Sequence, residues 1–379
     1  MRQGTSGGAD LGLYVHVPFC ERVCPYCDFA VVAVGRLGAP DEAAYLDSLL
    51  AEWALVRGEV AGRPVASVYF GGGTPGLARP WTLARLLDAF RAELRFADPE
   101  ITVELNPGRL EVEGVAALRA CGVTRLSLGL QSLDDTILRR LGRAQSGAEA
   151  RAGLEACLAA GFASLSIDLI YGAPGQDAAA LLRDVDAVLD YGVPHVSAYA
   201  LTLEPGTRMT AAVRAGRLPA PDEGALARRY ELADARLSAA GLRWYEVSNW
   251  AGADAARCRH NLGYWTGGHW WALGPGAHGH VGGVRFWTHR HPATHARAVA
   301  AGAPPVDGWE ALDPGARALE RLMLETRLAT GLDLGLLDAR GRARAGELAA
   351  DGLLELQDGR AVLTLRGRRL ADGVIRALA

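Results

Sequence analysis

The amino-acid sequence predicts an α/β protein, in which a partial barrel of six β/α units is followed by an α+β region with a winged-helix-like tail. Six apolar runs between residues 11 and 201 are mostly rich in Val, Ile, Tyr, Phe and Leu, as buried parallel strands are. Amphipathic helical segments separate these runs, which indicates right-handed β-α-β units and a parallel sheet. A doubly wound sheet is the structural alternative. The runs are 11–17, 65–70, 101–105, 123–130, 162–170 and 195–201.

The rest of the chain divides into two further regions. A helix is predicted over 222–240, and the segment 244–295 contains six of the nine tryptophans among many glycines. From about residue 310 the tail is predicted to form helices, then a hairpin whose turn is Asp358-Gly359, then a final helix over 368–378, because Asp-Gly between apolar runs favours a tight turn. We therefore predict a barrel at 1–220, an extension at 221–300 and a winged-helix-like domain at 301–379.

Composition excludes several classes of protein. The chain has 379 residues, a formal net charge of -3 and no lysine. A Walker A phosphate loop and a pyridoxal phosphate site each need a lysine, so both are excluded. The slight negative charge argues against a nucleic-acid partner. No apolar run reaches the length of about 18 residues that a membrane span needs, and the first ten residues contain no signal-like run. We therefore expect no transmembrane segment and a cytoplasmic location.

Three cysteines lie within eight residues directly after the first predicted strand, as C-x3-C-x2-C at Cys20, Cys24 and Cys27. Three thiolates can bind three irons of a 4Fe–4S cluster and leave the fourth iron open for a ligand, whereas structural zinc takes four protein ligands. A structural metal site and a redox pair at Cys24 and Cys27 are the alternatives. The three scattered cysteines are predicted to be small buried apolar residues; they are Cys121, Cys157 and Cys258.

Unusual residues follow the other predicted strands. A β/α barrel places its chemistry at the carboxyl ends of its strands, where this chain has Gly71–Pro75, Glu104, Gln131, Arg143 and Asp168. Consecutive glycines allow the backbone to approach a ligand closely, although a simple turn is the alternative. An acid within an apolar strand is costly unless it is paired, so a buried salt bridge is the alternative for each carboxylate.

The cysteine spacing resembles that of the radical S-adenosylmethionine superfamily. Together with YVHVPFC, FGGGTP, ELNP, LSLGLQS, LGR and DLIYGAPGQ, it resembles the oxygen-independent coproporphyrinogen oxidase family and its haem-chaperone (HemW) branch. The resemblance implies that S-adenosylmethionine binds the open iron, that Glu104 and Asp168 accept its hydrogen bonds, and that Arg143 binds its carboxylate. Tyr26 would pack near the adenine. The implied S-adenosylmethionine site comprises Tyr14, Tyr26, Gly72, Gly73, Thr74, Glu104, Gln131, Arg143 and Asp168.

Three features favour the haem-chaperone branch over the oxidases. The oxidases have a fourth cysteine where this chain has Phe29, and they have a longer segment before the residue matched by Tyr14. The HN-x2-YW motif of the chaperone branch stands at 260–265, within a stretch rich in tryptophan. Residues 260–291 also contain six histidines. The resemblance therefore implies haem as cargo, with His260 as the candidate haem-binding residue, and His269, His278 and His280 as the next candidates.

The resemblance leaves several functional questions open. A haem chaperone implies an acceptor protein, which the sequence does not identify, and an electron donor if S-adenosylmethionine is cleaved. The alternatives are an oxygen-independent coproporphyrinogen oxidase, another radical S-adenosylmethionine enzyme, or an iron–sulfur protein with a structural or electron-transfer role. No residue is singled out as catalytic, so the sequence does not decide whether the protein is an enzyme.

Overall fold

A twelve-stranded sheet organises this protein, whose computed structural model describes residues 10–35, 41–108 and 110–379. The strands of this and two smaller sheets are, in chain order, Leu11–Val17 (β1), Phe19–Cys20 (β2), Val32–Ala33 (β3), Pro64–Gly72 (β4), Arg95–Leu105 (β5), Arg125–Gln131 (β6), Ser164–Tyr171 (β7), His195–Ala200 (β8), Arg243–Glu246 (β9), Asn249–Ala251 (β10), His269–Leu273 (β11), His278–Val281 (β12), Val284–Thr288 (β13), Val306–Ala311 (β14), Leu332–Asp333 (β15), Leu354–Gln357 (β16) and Arg360–Leu363 (β17).

Helices connect these strands and cover the sheet. They are Glu42–Val56 (α1), Pro80–Arg91 (α2), Val112–Ala120 (α3), Asp135–Arg140 (α4), Gly147–Ala159 (α5), Ala178–Leu189 (α6), Arg208–Arg214 (α7), Glu223–Ala239 (α8), Arg259–Trp265 (α9), Pro292–Ala300 (α10), Pro314–Glu325 (α11), Ala339–Ala350 (α12), Leu365–Arg369 (α13) and Ala371–Leu378 (α14). No helix within the described ranges is both long enough and apolar enough to cross a bilayer.

The predicted barrel is confirmed as six parallel strands in the order β1-β4-β5-β6-β7-β8. The six strands follow one another across the sheet in their order along the chain, whereas a doubly wound sheet reverses that order at one point, so the doubly wound alternative is wrong. In the described sheet β1 pairs with β4 and β11 and does not pair with β8, so the barrel is open. All six predicted strands are present, and β5 begins at Arg95, six residues before its predicted start. This parallel arrangement brings the carboxyl ends of the six strands to one rim.

Both open edges of the barrel are extended by strands from the region predicted as a separate extension. β11 adds to β1 in parallel, and β12, β13 and β14 follow it in antiparallel pairs. On the opposite side β10 and β9 add antiparallel to β8. Unpaired strand edges expose hydrogen-bonding groups, and these additions satisfy them. The sheet therefore continues across the predicted limits at residues 220 and 300.

Side-chain caps begin the helices that return the chain between strands. At the start of α5, the Ser146 side chain accepts from the Glu149 backbone N–H while the Glu149 side chain accepts from the Ser146 N–H, a capping box. Aspartate side chains cap four other helices of the barrel in the same acceptor role. These aspartates are Asp41, Asp134, Asp177 and Asp222.

The tail contains the predicted hairpin. Asp358 and Gly359 have φ of 49° and 75°, as the tight turn between β16 and β17 requires, and β15 completes a three-stranded antiparallel sheet. The final predicted helix is two helices, α13 and α14, which meet at Leu370. Arg368 binds both carboxylate oxygens of Asp234 on α8, at 2.7 and 3.2 Å, and so ties the tail to the barrel. The winged-helix likeness stays a prediction.

Candidate functional site

The cysteine loop between β1 and α1 is held against the barrel rim by backbone hydrogen bonds. Its short strands β2 and β3 pair in parallel, and the N–H groups of Gly73 and Thr74, at the end of β4, donate to the carbonyls of Val17 and Phe19 at 2.8 and 2.7 Å. Beneath the loop, the buried His16 ring contacts the Ala30 carbonyl through Nε2 at 2.9 Å. The loop and the glycine strip therefore form one structural unit.

The three clustered cysteines are free, half-buried thiols on one wall of a cavity. The Thr74 hydroxyl donates to the Cys20 Sγ at 3.7 Å, and an Arg143 N–H lies 3.9 Å from the Cys24 Sγ. Burial raises the pKa of the Cys20 thiol to about 11 and also raises the pKa of Cys27. Thiolates at these positions therefore depend on a bound cationic centre for their stability.

The donor set fits an iron–sulfur cluster better than a single ion. Among the residues described, no three His, Cys, Asp or Glu side chains are grouped so that they could hold one metal ion. A 4Fe–4S cluster does not require such convergence, because each thiolate binds a different iron. The sulfurs also receive hydrogen bonds, which tune clusters of this kind. The alternative of a single-ion structural site has no matching geometry in this part of the chain.

The cavity beside the cysteines has a volume of about 510 Å³ and opens at the carboxyl ends of the barrel strands. It brings together the cysteines and eight of the nine residues that the sequence assigned to S-adenosylmethionine. Tyr14 does not line this cavity; its ring stacks with Tyr69 and with His260, each at 6.3 Å between centroids. The predicted residues in the cavity lining are Cys20, Cys24, Cys27, Tyr26, Gly72, Gly73, Thr74, Glu104, Gln131, Arg143 and Asp168.

Glu104, at the end of β5, is a half-buried carboxyl group held by neutral donors. Its Oε1 accepts from the Tyr69 hydroxyl at 2.8 Å, and its Oε2 accepts from the Gly72 N–H at 3.1 Å. Burial raises the pKa of Glu104 to about 7, the two hydrogen bonds oppose that rise, and the nearby Asp168 adds to it. Glu104 forms no salt bridge with any described residue, so the predicted salt-bridge alternative does not explain it.

Asp168 lies in the same wall of the cavity and is also held by hydroxyl groups. It accepts from Ser127 at 2.9 Å and from Ser166 at 3.5 Å, and Ser197 lies on the paired residue of β8. Burial raises the pKa of Asp168, and the serine hydrogen bonds oppose the rise. No cationic side chain in the described ranges pairs with Asp168 within salt-bridge distance. The cavity lining thus contains two half-buried carboxyl groups that are held by neutral hydrogen-bond donors.

Arg143 connects the cysteine loop to the cavity. One of its terminal nitrogens donates to the Gly129 carbonyl at 3.0 Å and to the Asn106 side chain, whose amide in turn donates to Thr74 at 2.8 Å. The Arg143 Nε is buried without a hydrogen-bond partner in the described part of the chain. Nearby, Gln131 has φ of 66°, a conformation that costs energy in a residue other than glycine and that often marks a ligand site.

Gly72 is required by the local structure as well as by any ligand. Its φ is 109°, and a Cβ at this position would lie 2.5 Å from the nearest atom of the His16 ring. The Gly72 N–H is one of the two donors to Glu104. The alternative of a simple turn therefore accounts for part of the glycine requirement, while the same backbone N–H also holds Glu104 in the cavity wall.

His260 lies at the start of α9 and packs against residues of β1 and β4. Its Nδ1 is 2.8 Å from the Ser67 hydroxyl, and its Nε2 is 2.8 Å from the Tyr264 hydroxyl. Burial lowers the pKa of His260 to about 3, so the ring is neutral. Both ring nitrogens are engaged, so an axial role for His260 requires a hydrogen bond to break. That role stays a prediction without support from this geometry.

Several residues that shape the site were not singled out in the sequence. Tyr69 donates a hydrogen bond to Glu104, and Asn106 accepts one from Arg143. Arg125 is a buried cation in the cavity lining. The missed signal was the alternation of side chains along strands, which places every second residue on the inner face. That rule identifies the hydroxyl groups facing Asp168, which are Ser127, Ser166 and Ser197.

Comparison with known proteins identifies the family of this chain. The family model described as the Radical SAM superfamily matches residues 14–188. A relative named "Heme chaperone HemW" from Mycobacterium tuberculosis (strain ATCC 25618 / H37Rv) is 47% identical over 372 residues, covering 98% of this chain and 95% of the relative. A relative of the same name from Bacillus subtilis (strain 168) is 31% identical over 96% of this chain and 98% of its own.

A solved structure of coproporphyrinogen III oxidase (HemN) from Escherichia coli is similar to this chain, with a TM-score of 0.83 and 23% sequence identity. The match covers 98% of this chain and 90% of the oxidase chain. At that identity the structural match establishes the fold alone. The two full-length relatives establish the closer relationship. The chain therefore belongs to the HemW family of haem chaperones, within the radical S-adenosylmethionine superfamily.

Proposed function

We propose that this chain is a haem chaperone that binds haem as cargo and delivers it to an acceptor protein. The observation that carries the proposal is the similarity, over almost the whole chain, to relatives named heme chaperones, and the cavity lined by Cys20, Cys24 and Cys27 supports it. A cytoplasmic location is part of the proposal, because free thiols that bind a cluster need reducing surroundings. The acceptor protein is unidentified.

Cys20, Cys24 and Cys27 would hold three irons of the 4Fe–4S cluster, and S-adenosylmethionine would bind the fourth. When bound, the cluster supplies an electron with which S-adenosylmethionine can be cleaved, and that use requires an external electron donor. The chain's own contribution is electrostatic. Arg143 places a positive charge beside the Cys24 sulfur, and Thr74 donates to the Cys20 sulfur, so both stabilise the negative charge of the thiolates.

The cavity residues would divide the binding of S-adenosylmethionine among them. Glu104 and Asp168 supply carboxylates for its cationic and hydroxyl groups, and the guanidinium of Arg143 supplies a positive charge for its carboxylate. Tyr26 supplies an aromatic surface for the adenine. The backbone at Gly72 and Gly73, the Thr74 side chain and Gln131, whose backbone φ is positive, complete the site.

A chaperone role is favoured over oxidase activity by Phe29. This side chain stands at the position of the fourth cysteine of the oxidases, lines the cavity mouth and is 63% exposed. A phenyl ring cannot replace the chemistry of a thiol, so any reaction step that needs that cysteine lacks its reactive group here. The resemblance to the oxidase fold alone does not favour porphyrinogen oxidation.

Two measurements on the anaerobically reconstituted protein test the proposal. Titration with haem is expected to give a new Soret band that saturates at about one haem per chain. Incubation with coproporphyrinogen III, S-adenosylmethionine and a reductant is expected to give no vinyl product. An absent Soret change would overturn the chaperone proposal, and sustained vinyl formation would replace it with the oxidase alternative.

A further inference from the structure

The state of each imidazole ring shows which histidines could bind a haem iron. Haem iron commonly takes an axial histidine through a free ring nitrogen. All nine histidines lie in the described ranges, and three of them are buried with both ring nitrogens in hydrogen-bonding contacts. Iron could reach these rings only if the core opened. The three are His16, His195 and His260.

Five further histidines have one ring nitrogen engaged in a structural contact. The contacts are backbone hydrogen bonds, a helix cap and two carboxylate pairings, and the histidines are His269, His280, His289, His291 and His295. The remaining Nε2 of His280 is buried and has no partner in the described part of the chain, so an iron cannot approach it in this conformation. In each of these five rings one nitrogen is committed to a structural contact, which leaves at most one nitrogen for a metal.

His278 is different from the other eight. It is the first residue of β12, its side chain is exposed, and neither ring nitrogen has a hydrogen-bond partner among the described residues. Its ring stacks on Trp287, the paired residue of β13, with 6.2 Å between centroids and 25° between planes. Either ring nitrogen is therefore open to an incoming metal, and the second can donate its N–H to water, as the second nitrogen of a metal-bound histidine usually does to some partner.

The position of His278 connects it to the cluster-bearing rim. β11 runs parallel to β1, so the turn after β11 lies at the end of the sheet that carries the cysteine loop. In that turn, Gly276 lies so close to Ala30 that a Cβ on it would be 2.5 Å away. Arg290, two residues after β13, donates to the carbonyl of Asp28 in the same loop. A ligand on His278 would therefore sit beside the cysteine loop and outside the cavity.

The surroundings of His278 suit a porphyrin with acidic side chains. The half-exposed Trp287 provides apolar surface beside the His278 ring, and the half-exposed Trp270 of the neighbouring strand β11 donates from its Nε1 to the His278 carbonyl at 2.8 Å. The pKa of His278 is lowered by partial burial and, to a smaller extent, by the nearby charge of Arg290. The imidazole is therefore neutral and can bind a metal without releasing a proton. The exposed Arg290 supplies a positive charge for a propionate.

We propose that the haem cargo binds on this face of β12 and β13, with His278 as an axial ligand to the iron, Trp287 supporting the ring and Arg290 pairing with a propionate. The inference rests on the proposed haem-chaperone function and adds the place of the cargo. It also separates two sites on one chain: the cavity for the cluster and S-adenosylmethionine, and an outer face for haem.

Haem titration of four reconstituted proteins tests this assignment: wild type, His278→Ala, His260→Ala and His291→Ala. The last is a matched control, because His291 is an exposed histidine of the same region. We expect His278→Ala to weaken haem binding by roughly tenfold or more and to shift the Soret band. We expect the other two variants to keep the wild-type spectrum. Arg290→Ala should weaken binding while leaving the Soret position unchanged.

Chemical rescue separates ligation from a structural effect. His278→Gly with added imidazole should recover the wild-type Soret position, because free imidazole can occupy the vacated place on the iron. If wild-type protein binds no haem, the proposed function itself fails. If wild type binds haem and His278→Ala has the same affinity and spectrum, only the His278 assignment is overturned. Loss of the Soret band in His260→Ala, with imidazole failing to rescue His278→Gly, would also overturn it.

Discussion

Glu104 should make the binding of S-adenosylmethionine depend on pH, and Glu104→Gln should remove that dependence. The Glu104 carboxyl group is half-buried at the end of β5 and is held by the Tyr69 hydroxyl and the Gly72 N–H. Burial is the largest influence on it and raises its pKa to about 7. The ligand is cationic at its sulfonium, so it favours the ionised carboxylate. Protonation of Glu104 therefore competes with ligand binding.

The size of the effect follows from this pKa. For a group with a pKa of about 7, about one tenth is ionised at pH 6 and about nine tenths at pH 8, so affinity that requires the carboxylate should rise roughly tenfold between them. The same shift affects folding with the opposite sign. Because the folded pKa lies above the usual 4.5, ionisation of Glu104 costs stability, which is lost progressively as the pH rises from 4.5 to about 7.

Anaerobic calorimetry of the reconstituted protein at pH 6, 7 and 8 measures the effect on binding. We expect wild-type affinity to rise across this range and to level off above the pKa of Glu104. Glu104→Gln keeps the shape and one acceptor oxygen, so it reports any pH dependence that belongs to the ligand itself. The difference in pH dependence of affinity between the two proteins is therefore the contribution of the Glu104 carboxylate. An equal rise in wild type and Glu104→Gln, at equal iron content, would refute the reasoning.

Three further predictions concern the glycine strip, the cluster and α9. Gly72→Ala should destabilise the protein by about 2–5 kcal/mol, because Gly72 has a positive φ and a Cβ there would meet the buried His16 ring. Gly114→Ala, at an open position within a helix, should stabilise it by up to about 1 kcal/mol. Equal thermal unfolding temperatures for the two variants would contradict this prediction. Cys24→Ala should abolish the visible absorbance of the reconstituted cluster while Cys121→Ala retains it; about four irons per chain in Cys24→Ala would reject the cluster assignment. His260→Ala should lower the free energy of unfolding by about 2–4 kcal/mol, since the hydroxyl groups of Ser67 and Tyr264 lose their partner. An unchanged midpoint of chemical denaturation would show that the ring does not contribute to stability.

The barrel could be predicted because the relevant information is local, whereas the residues of the S-adenosylmethionine site were predicted through the resemblance to a known family. Each buried parallel strand appears as a short apolar run, and parallel strands bring their carboxyl ends to one rim. Residues far apart in the chain, such as Glu104 and Asp168, could therefore be assigned to the same cavity before their contacts were known. The hairpin at Asp358 and Gly359 was predictable for a similar reason, since a two-residue turn restricts its own sequence.

The extended sheet and the state of the histidines could not be predicted in the same way. Nothing in the local sequence of His269–Leu273 indicates that it pairs with Leu11–Val17, because that pairing is decided by which sheet edge remains open. Motif spacing also does not show that both nitrogens of His260 are engaged, or that those of His278 are not. These differences depend on neighbours contributed by distant strands.

The most direct test of the account is to measure S-adenosylmethionine and haem together on one reconstituted sample. Equilibrium dialysis with labelled S-adenosylmethionine, followed by haem titration in the same cell, counts both ligands against the iron of the cluster. We expect about one of each per chain, with no release of S-adenosylmethionine as haem binds, because the cavity and the His278 face are separate. A chain that binds no haem, or that releases S-adenosylmethionine in proportion to the haem bound, would contradict the account.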